Sequence, residues 1–192
     1  MTRKNLYIIS GCNGAGKTTA SYTVLPEILD CNEFVNADEI ARGLSPFNPE
    51  SVAIEAGRLM LQRIETLLEK NVSFSIETTL ATKSYINLIH RAQAQGYCVK
   101  LLFFWLNSPE LAILRVAERV AKGGHNIPED IIRRRYVAGI RNLFRLFMNE
   151  VDYWDIYDNS FHPRQLIASG GKGADTAIYV STTFNTLQNY VR

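Results

Sequence analysis

Eight residues near the start of the chain, Gly11-Cys12-Asn13-Gly14-Ala15-Gly16-Lys17-Thr18, fit the phosphate-cradling pattern G-x-x-x-x-G-K-[ST] at every fixed position. Glycines at 11, 14 and 16 let the backbone curl so that its N–H groups point inward at phosphate oxygens. Lys17 has the reach to hold β- and γ-phosphates, and the Thr18 hydroxyl can ligate Mg²⁺. The candidate nucleotide-binding set is therefore Gly11, Asn13, Gly14, Ala15, Gly16, Lys17, Thr18 and Thr19. Cys12 sits at a variable position of the pattern and reads as a tolerated small residue rather than a redox sensor.

Moving a phosphoryl group needs three further things: a base beside the acceptor, cations around the migrating group, and exclusion of water. Asp38 is the candidate base; its other reading is a cap for the turn that follows it. Glu77 reads either as an acceptor contact or as a holder of the Mg²⁺ water shell, against the plainer role of pairing with an arginine. Thr78 and Thr79 either donate to the substrate or cap the next helix. With Arg42, these residues make up the candidate substrate-binding set: Asp38, Arg42, Glu77, Thr78 and Thr79. Residues 115–145 carry eight basic and three acidic side chains in a chain whose net charge is only +2. A solvated helix face normally mixes signs more evenly. Two arginine-rich helices about the glycines at 123 and 124 suit a lid closing over phosphates, with His125 as a hinge contact. Arg119 and one of Arg133 to Arg135 are placed to stabilise charge on the phosphoryl oxygens. At least one arginine of the triplet must face solvent or an acid. Nucleic acid is the other natural partner of such a segment, but no aromatic stacking platform lies beside it and the net charge is small.

Strands and helices must bring these groups together. Leu6 to Ser10 is an apolar, β-branched run leading into the glycine loop, and a helix follows from Lys17 until Pro26 ends or bends it. A second strand is expected through Val35, ending at Asp38, then a loop over 41–47. Asn48, Pro49 and Glu50 open a long helix to about Lys70, stopped by Asn71. Val72 to Ile76 reads as a strand with Glu77 at its end, then a helix over about 82–95 closed by Gly96. Val99 to Leu106 is the most apolar run and reads as a central parallel strand. Ser108-Pro109-Glu110 opens a helix, Pro128-Glu129-Asp130 another, and residues 155–160 form a fifth core strand. A hairpin over 165–169 and 176–181 about Gly170 to Gly173, and a short helix over 184–191, complete the chain. The expected architecture is α/β: a three-layer P-loop nucleotide-binding fold with a mostly parallel five-stranded sheet. Helices lie on both faces, with the arginine-rich helical lid at about 115–145 and a C-terminal β-hairpin. In such sheets chemistry gathers at the carboxyl ends of the strands, where the glycine loop, Asp38 and Glu77 all fall.

The 192 residues suit a single domain over 1–192. The three cysteines are scattered without metal-ligand spacing, and His90 and His162 lack partners at such spacing. So few cysteines, in odd number, fit a reducing cytoplasm, and no apolar run is long enough to cross a membrane.

Over roughly residues 6–160 the chain resembles the zeta toxin family of small P-loop kinases. The likeness rests on Gly11 to Thr19, on Asn36-Ala37-Asp38-Glu39-Ile40-Ala41 and on Ile76-Glu77-Thr78-Thr79-Leu80. It continues with Arg119-Val120-Ala121-Lys122-Gly123-Gly124-His125-Asn126-Ile127-Pro128-Glu129, the block Arg133-Arg134-Arg135-Tyr136, and Asp158-Asn159-Ser160. It implies an ATP- and Mg²⁺-dependent kinase acting on a hydroxyl of a small molecule; in characterised members the acceptor is UDP-N-acetylglucosamine. It also implies Asp38 as base, Lys17 on the phosphates, Glu77 and Thr79 on the acceptor, and Arg119 with Arg134 or Arg135 on the phosphoryl group. Family members often carry two aspartates near the second strand end; here the first is Asn36. An antitoxin protein is the implied partner. Two other classes compete with the kinase reading. One is a nucleotide-switched ATPase, since no N-K-x-D guanine-reading motif is present; the other is a nucleotide-binding module that acts through an antitoxin without turnover.

Overall fold

The computed structural model describes residues 4–27, 29–124 and 126–191. The hinge role expected of His125 lies outside the described residues.

A seven-stranded sheet runs through the molecule in the order β2-β3-β1-β4-β5-β6-β7. The strands are β1 (Asn5–Gly11), β2 (Phe34–Val35), β3 (Phe74–Thr78), β4 (Cys98–Trp105), β5 (Tyr153–Asp158), β6 (Gln165–Gly171) and β7 (Ala174–Ile178). The first five in that order are parallel, as the alternation with helices requires. The expected hairpin forms, but it continues the sheet: β6 pairs antiparallel with β5 and β7 with β6, so five strands become seven. The chain can make this extension because a hairpin needs no crossover helix.

The helices are α1 (Lys17–Glu27), α2 (Ala37–Leu44), α3 (Ala53–Lys70), α4 (Tyr85–Ala94), α5 (Pro109–Ala121), α6 (Glu129–Asn142), α7 (Met148–Glu150) and α8 (Ser181–Asn189). A 3₁₀ turn over Pro49–Val52 leads into α3, and a π-helical turn over Leu143–Phe147 joins α6 to α7. α3 ends at Asn71, whose φ of 59° places it in the left-handed region that asparagine tolerates. Ser108 caps α5 by accepting from the Leu111 N–H at 3.2 Å, with Pro109 in the first turn. None of the described helices is long and apolar enough to cross a membrane.

Two boundaries differ from expectation at the place that matters. The second strand stops at Val35, so Asp38 lies in the first turn of α2 rather than at a strand end. Asn36 causes this: its side-chain Oδ1 accepts from the Asp38 N–H at 2.9 Å and turns the extended chain into a helix. The cap is thus Asn36 and not Asp38. The loop expected over 41–47 is helical as far as Leu44. Asp38 and Glu39 in the first turn and Arg42 in the last complement the helix dipole, and Arg42 lies 3.3 Å from Glu39.

The core is one cluster built from β1, β3 and β4 and the helices over them, including Ile8, Phe74, Phe103, Ile64 and Ile140. α5 and α6 are anchored in it through Ala112 and Val116, and through Ile132, Tyr136 and Ile140. The Tyr136 hydroxyl donates to the Leu106 carbonyl at 2.6 Å, and burial pushes its pKa up. The arginine-rich segment is therefore two core-packed helices joined by the connection at 122–128.

Candidate functional site

β1 delivers the chain to Gly11 at the carboxyl edge of the sheet. Gly11 has φ 139°, and a Cβ there would lie 2.1 Å from the Phe104 carbonyl oxygen, so only glycine fits between β1 and β4. Gly16, with φ 77°, leaves room for Asn159, whose amide would be 2.7 Å from an added Cβ. That amide donates to the Ala15 carbonyl at 2.8 Å. Asn159 is held in turn by Arg115, which donates to the Asn159 and Ser160 carbonyls at 2.9 Å each. The segment after β5 thus grips the glycine loop from behind.

Glu77, at the end of β3 beside β1, is the organising carboxylate. One oxygen lies 3.5 Å from Lys17 Nζ. The other accepts from the Thr18 hydroxyl at 2.8 Å and from Asn36 Nδ2 at 3.0 Å. The Lys17 and Glu77 side chains are only 7% and 8% exposed, so water screens this pair little. Lys17 also donates to the Cys12 carbonyl at 3.0 Å. Burial raises the Cys12 thiol to about 11, with Lys17 opposing the shift.

A cavity of about 870 Å³ opens over this network. Its walls bring together Asn13, Gly14, Gly16, Lys17, Thr18 and Thr19 with Asp38, Arg42, Glu77, Arg119 and Arg135. These come from six separate places in the chain, the glycine loop, α1, α2, β3, α5 and α6, and the connection between α5 and α6 adds Ile127. Asp38 is solvent-exposed and stands on the cavity wall. Arg135 reaches the glycine loop directly, donating to Asn13 Oδ1 at 3.2 Å. Gly124 admits the Arg119 side chain: a Cβ at 124 would lie 2.6 Å from Arg119 Cγ.

The rest of the expected set goes elsewhere. Gly11 and Ala15 shape the loop without lining the cavity. Arg134 lines a different cavity, on another side of α6, and Arg133 meets Glu110 at 2.6 Å. Thr78 and Thr79 are not among the cavity residues; the Thr78 hydroxyl accepts from the Leu80 N–H at 3.1 Å, and α4 begins after Ser84. Neither threonine caps that helix. Tyr22, Glu39, Pro49, Glu50 and Ala53 line the cavity and carry no motif that announces them.

The donor set matches a hard divalent cation. The Thr18 hydroxyl and the Glu77 carboxylate are oxygens already 2.8 Å apart, of the kind Mg²⁺ prefers.

Among solved structures, the complex of AvrRxo1-ORF1 and AvrRxo1-ORF2 with sulphate ions shares the fold. Its TM-score is 0.77 at 16% identity, covering 96% of this chain and 63% of that one. The chain thus spans less than two thirds of that neighbour. A structure from the PezAT chromosomal toxin-antitoxin system of Streptococcus pneumoniae gives a TM-score of 0.66 at 16% identity, covering 99% of this chain and 87% of that one. An uncharacterized protein of Haemophilus influenzae is 31% identical over 143 residues, 71% of this chain and all of the relative. The zeta toxin family model matches residues 1–163, and the chain belongs to that family.

Proposed function

We propose that this protein is an ATP-dependent phosphotransferase that moves the γ-phosphoryl group to an alcohol of a small molecule, and that the acceptor is a nucleotide sugar of the UDP-N-acetylglucosamine type. The observation that carries the reading is the convergence of Lys17, Thr18, Glu77, Asp38, Arg119 and Arg135 on one cavity. A volume of about 870 Å³ holds a nucleotide with part of a second ligand. The acceptor's identity rests on family membership.

In this reading the glycine-loop N–H groups and Lys17 hold the β- and γ-phosphates. Thr18 and Glu77 would hold Mg²⁺, which supplies positive charge against the phosphate oxygens. Asp38 orients the acceptor hydroxyl and takes its proton as the oxygen bonds to phosphorus and ADP leaves. Arg119 and Arg135 stabilise the charge spread over the transferring group. Ile127, on the connection above the cavity, helps to exclude water. Glu39 and Arg42, on α2 with Asp38, are the proposed acceptor contacts; Thr78 holds the turn after Glu77 by accepting from the Leu80 N–H. The work is placed in the cytoplasm. An antitoxin protein is the proposed partner, as the PezAT neighbour belongs to a toxin-antitoxin system.

The test is a screen of nucleotide sugars, nucleosides and free sugars with the purified chain and MgATP, read by mass spectrometry. A mass gain of one phosphate on a single class, with ADP formed in equal amount, is expected. ADP release at the same rate without any acceptor would overturn the reading in favour of a simple ATPase.

A further inference from the structure

A second cavity, of about 500 Å³, lies between α6 and the loop after β3, and shares no lining residue with the first. Lys83, Arg133, Arg134, Arg141 and Arg145 line it, and among the described residues no carboxylate does. Of these five cations only Arg133 has a carboxylate within ion-pair distance among the described residues, namely Glu110 at 2.6 Å. Arg141 and Arg145 are held in place by backbone carbonyls, and among the described residues neither has a carboxylate partner. Arg141 Nε donates to the Tyr190 carbonyl at 2.9 Å, and Arg145 donates to the Val191 carbonyl. The opposite wall is fixed by Asn142, which donates to the Leu80 carbonyl at 2.7 Å.

Among the described residues the cations of this cavity outnumber their carboxylate partners. Like charges gathered around a concavity raise its potential and favour a multivalent anion. Arg141, in the last turn of α6, and Arg145, in the π-helical turn that follows, line the same cavity, and a guanidinium offers a fork that matches phosphate oxygens. The carbonyls at 190 and 191 take one N–H from each guanidinium, and among the described residues no other acceptor holds the rest. Val137 and Leu146 add apolar wall. Among the described residues no aromatic ring lines the cavity, so they offer no stacking surface of the kind a single-strand nucleic-acid site uses.

We propose that this cavity is a second anion site, separate from the nucleotide cavity, and that it takes a small molecule bearing a diphosphate or longer phosphate chain. Arg134 faces it while the next residue, Arg135, reaches Asn13 of the glycine loop. Occupancy therefore bears on the helix that carries an arginine into the first site.

Equilibrium dialysis of the whole chain with radiolabelled tripolyphosphate, in saturating MgADP, tests this. Bound ADP is counted in the same cells, so failure of the first site shows as its own missing equivalent. One equivalent of tripolyphosphate is expected beside the ADP, weakened about tenfold or more by Arg145→Ala and by Lys83→Gln. Lys83 is exposed on a loop, so its variant folds even if Arg145→Ala does not. Arg58→Ala, an exposed cation on α3 outside the cavity, should leave the affinity unchanged. Absence of the additional equivalent, or equal weakening by Arg58→Ala, would overturn the proposal. So would tighter binding of a twenty-nucleotide single-stranded RNA than of tripolyphosphate, which would mark a nucleic-acid surface instead.

Discussion

Glu77 and Asn36 show why residue type matters more than charge count in this site. Asn36 uses both ends of its amide: Nδ2 donates to Glu77 and Oδ1 accepts from the Asp38 N–H. An aspartate can do only the second. Asn36→Asp should therefore cost about 1–3 kcal/mol at neutral pH, since it sets a carboxylate against Glu77 in place of a donor. One carboxyl of the new pair is then raised in the folded state. Protonating it restores the bond, so the deficit should shrink as pH falls and grow as pH rises; urea midpoints from pH 5 to 8 check the sign. Asp38→Asn should lower acceptor phosphorylation by about 10²–10⁴-fold while ATP binding by calorimetry stays intact. Full transfer by that variant would remove Asp38 from the base role. Cys12, raised to about 11 mainly by burial, stays a thiol at neutral pH. Iodoacetamide at pH 7.5 should leave its peptide unmodified in the native protein and label it after denaturation.

The glycine loop was legible as an element because its signal is local: strand, glycines, Lys-Thr and helix in immediate succession. The long strands and α3 to α6 were legible from periodicity and from caps such as Ser108. α2 was not, because a two-residue strand has no measurable period and the helix start depends on one side-chain bond from Asn36. The arginine triplet was ambiguous for a related reason. Successive residues on a helix face about 100° apart, and only the burial of Ile132, Tyr136 and Ile140 fixes which arginine points at the glycine loop. The connection between α5 and α6 carries its own prediction. Gly124→Ala would push a methyl group into Arg119, so the rate of transfer should fall while ATP affinity changes little. Single-turnover kinetics beside calorimetry separate the two; an unchanged rate would mean that Arg119 tolerates the displacement.

At the scale of the whole molecule the sheet spans from residue 5 to residue 178 and holds the site at one edge. Nucleotide binding should therefore stabilise the entire fold. At ATP a hundredfold above its dissociation constant the gain is about 2.7 kcal/mol, visible as a higher unfolding temperature and absent in Lys17→Ala. What no reading of neighbouring residues reveals is the bond from Asn159 to the Ala15 carbonyl, across 144 positions of sequence. It has a consequence in time as well as in space. During synthesis the first sixteen residues emerge long before the residue that completes their cradle. A ribosome-bound chain halted before residue 159 should thus fail to retain ATP, and one extended well beyond it should succeed. By this bond the cradle around Ala15 is completed only by a side chain made 144 positions later.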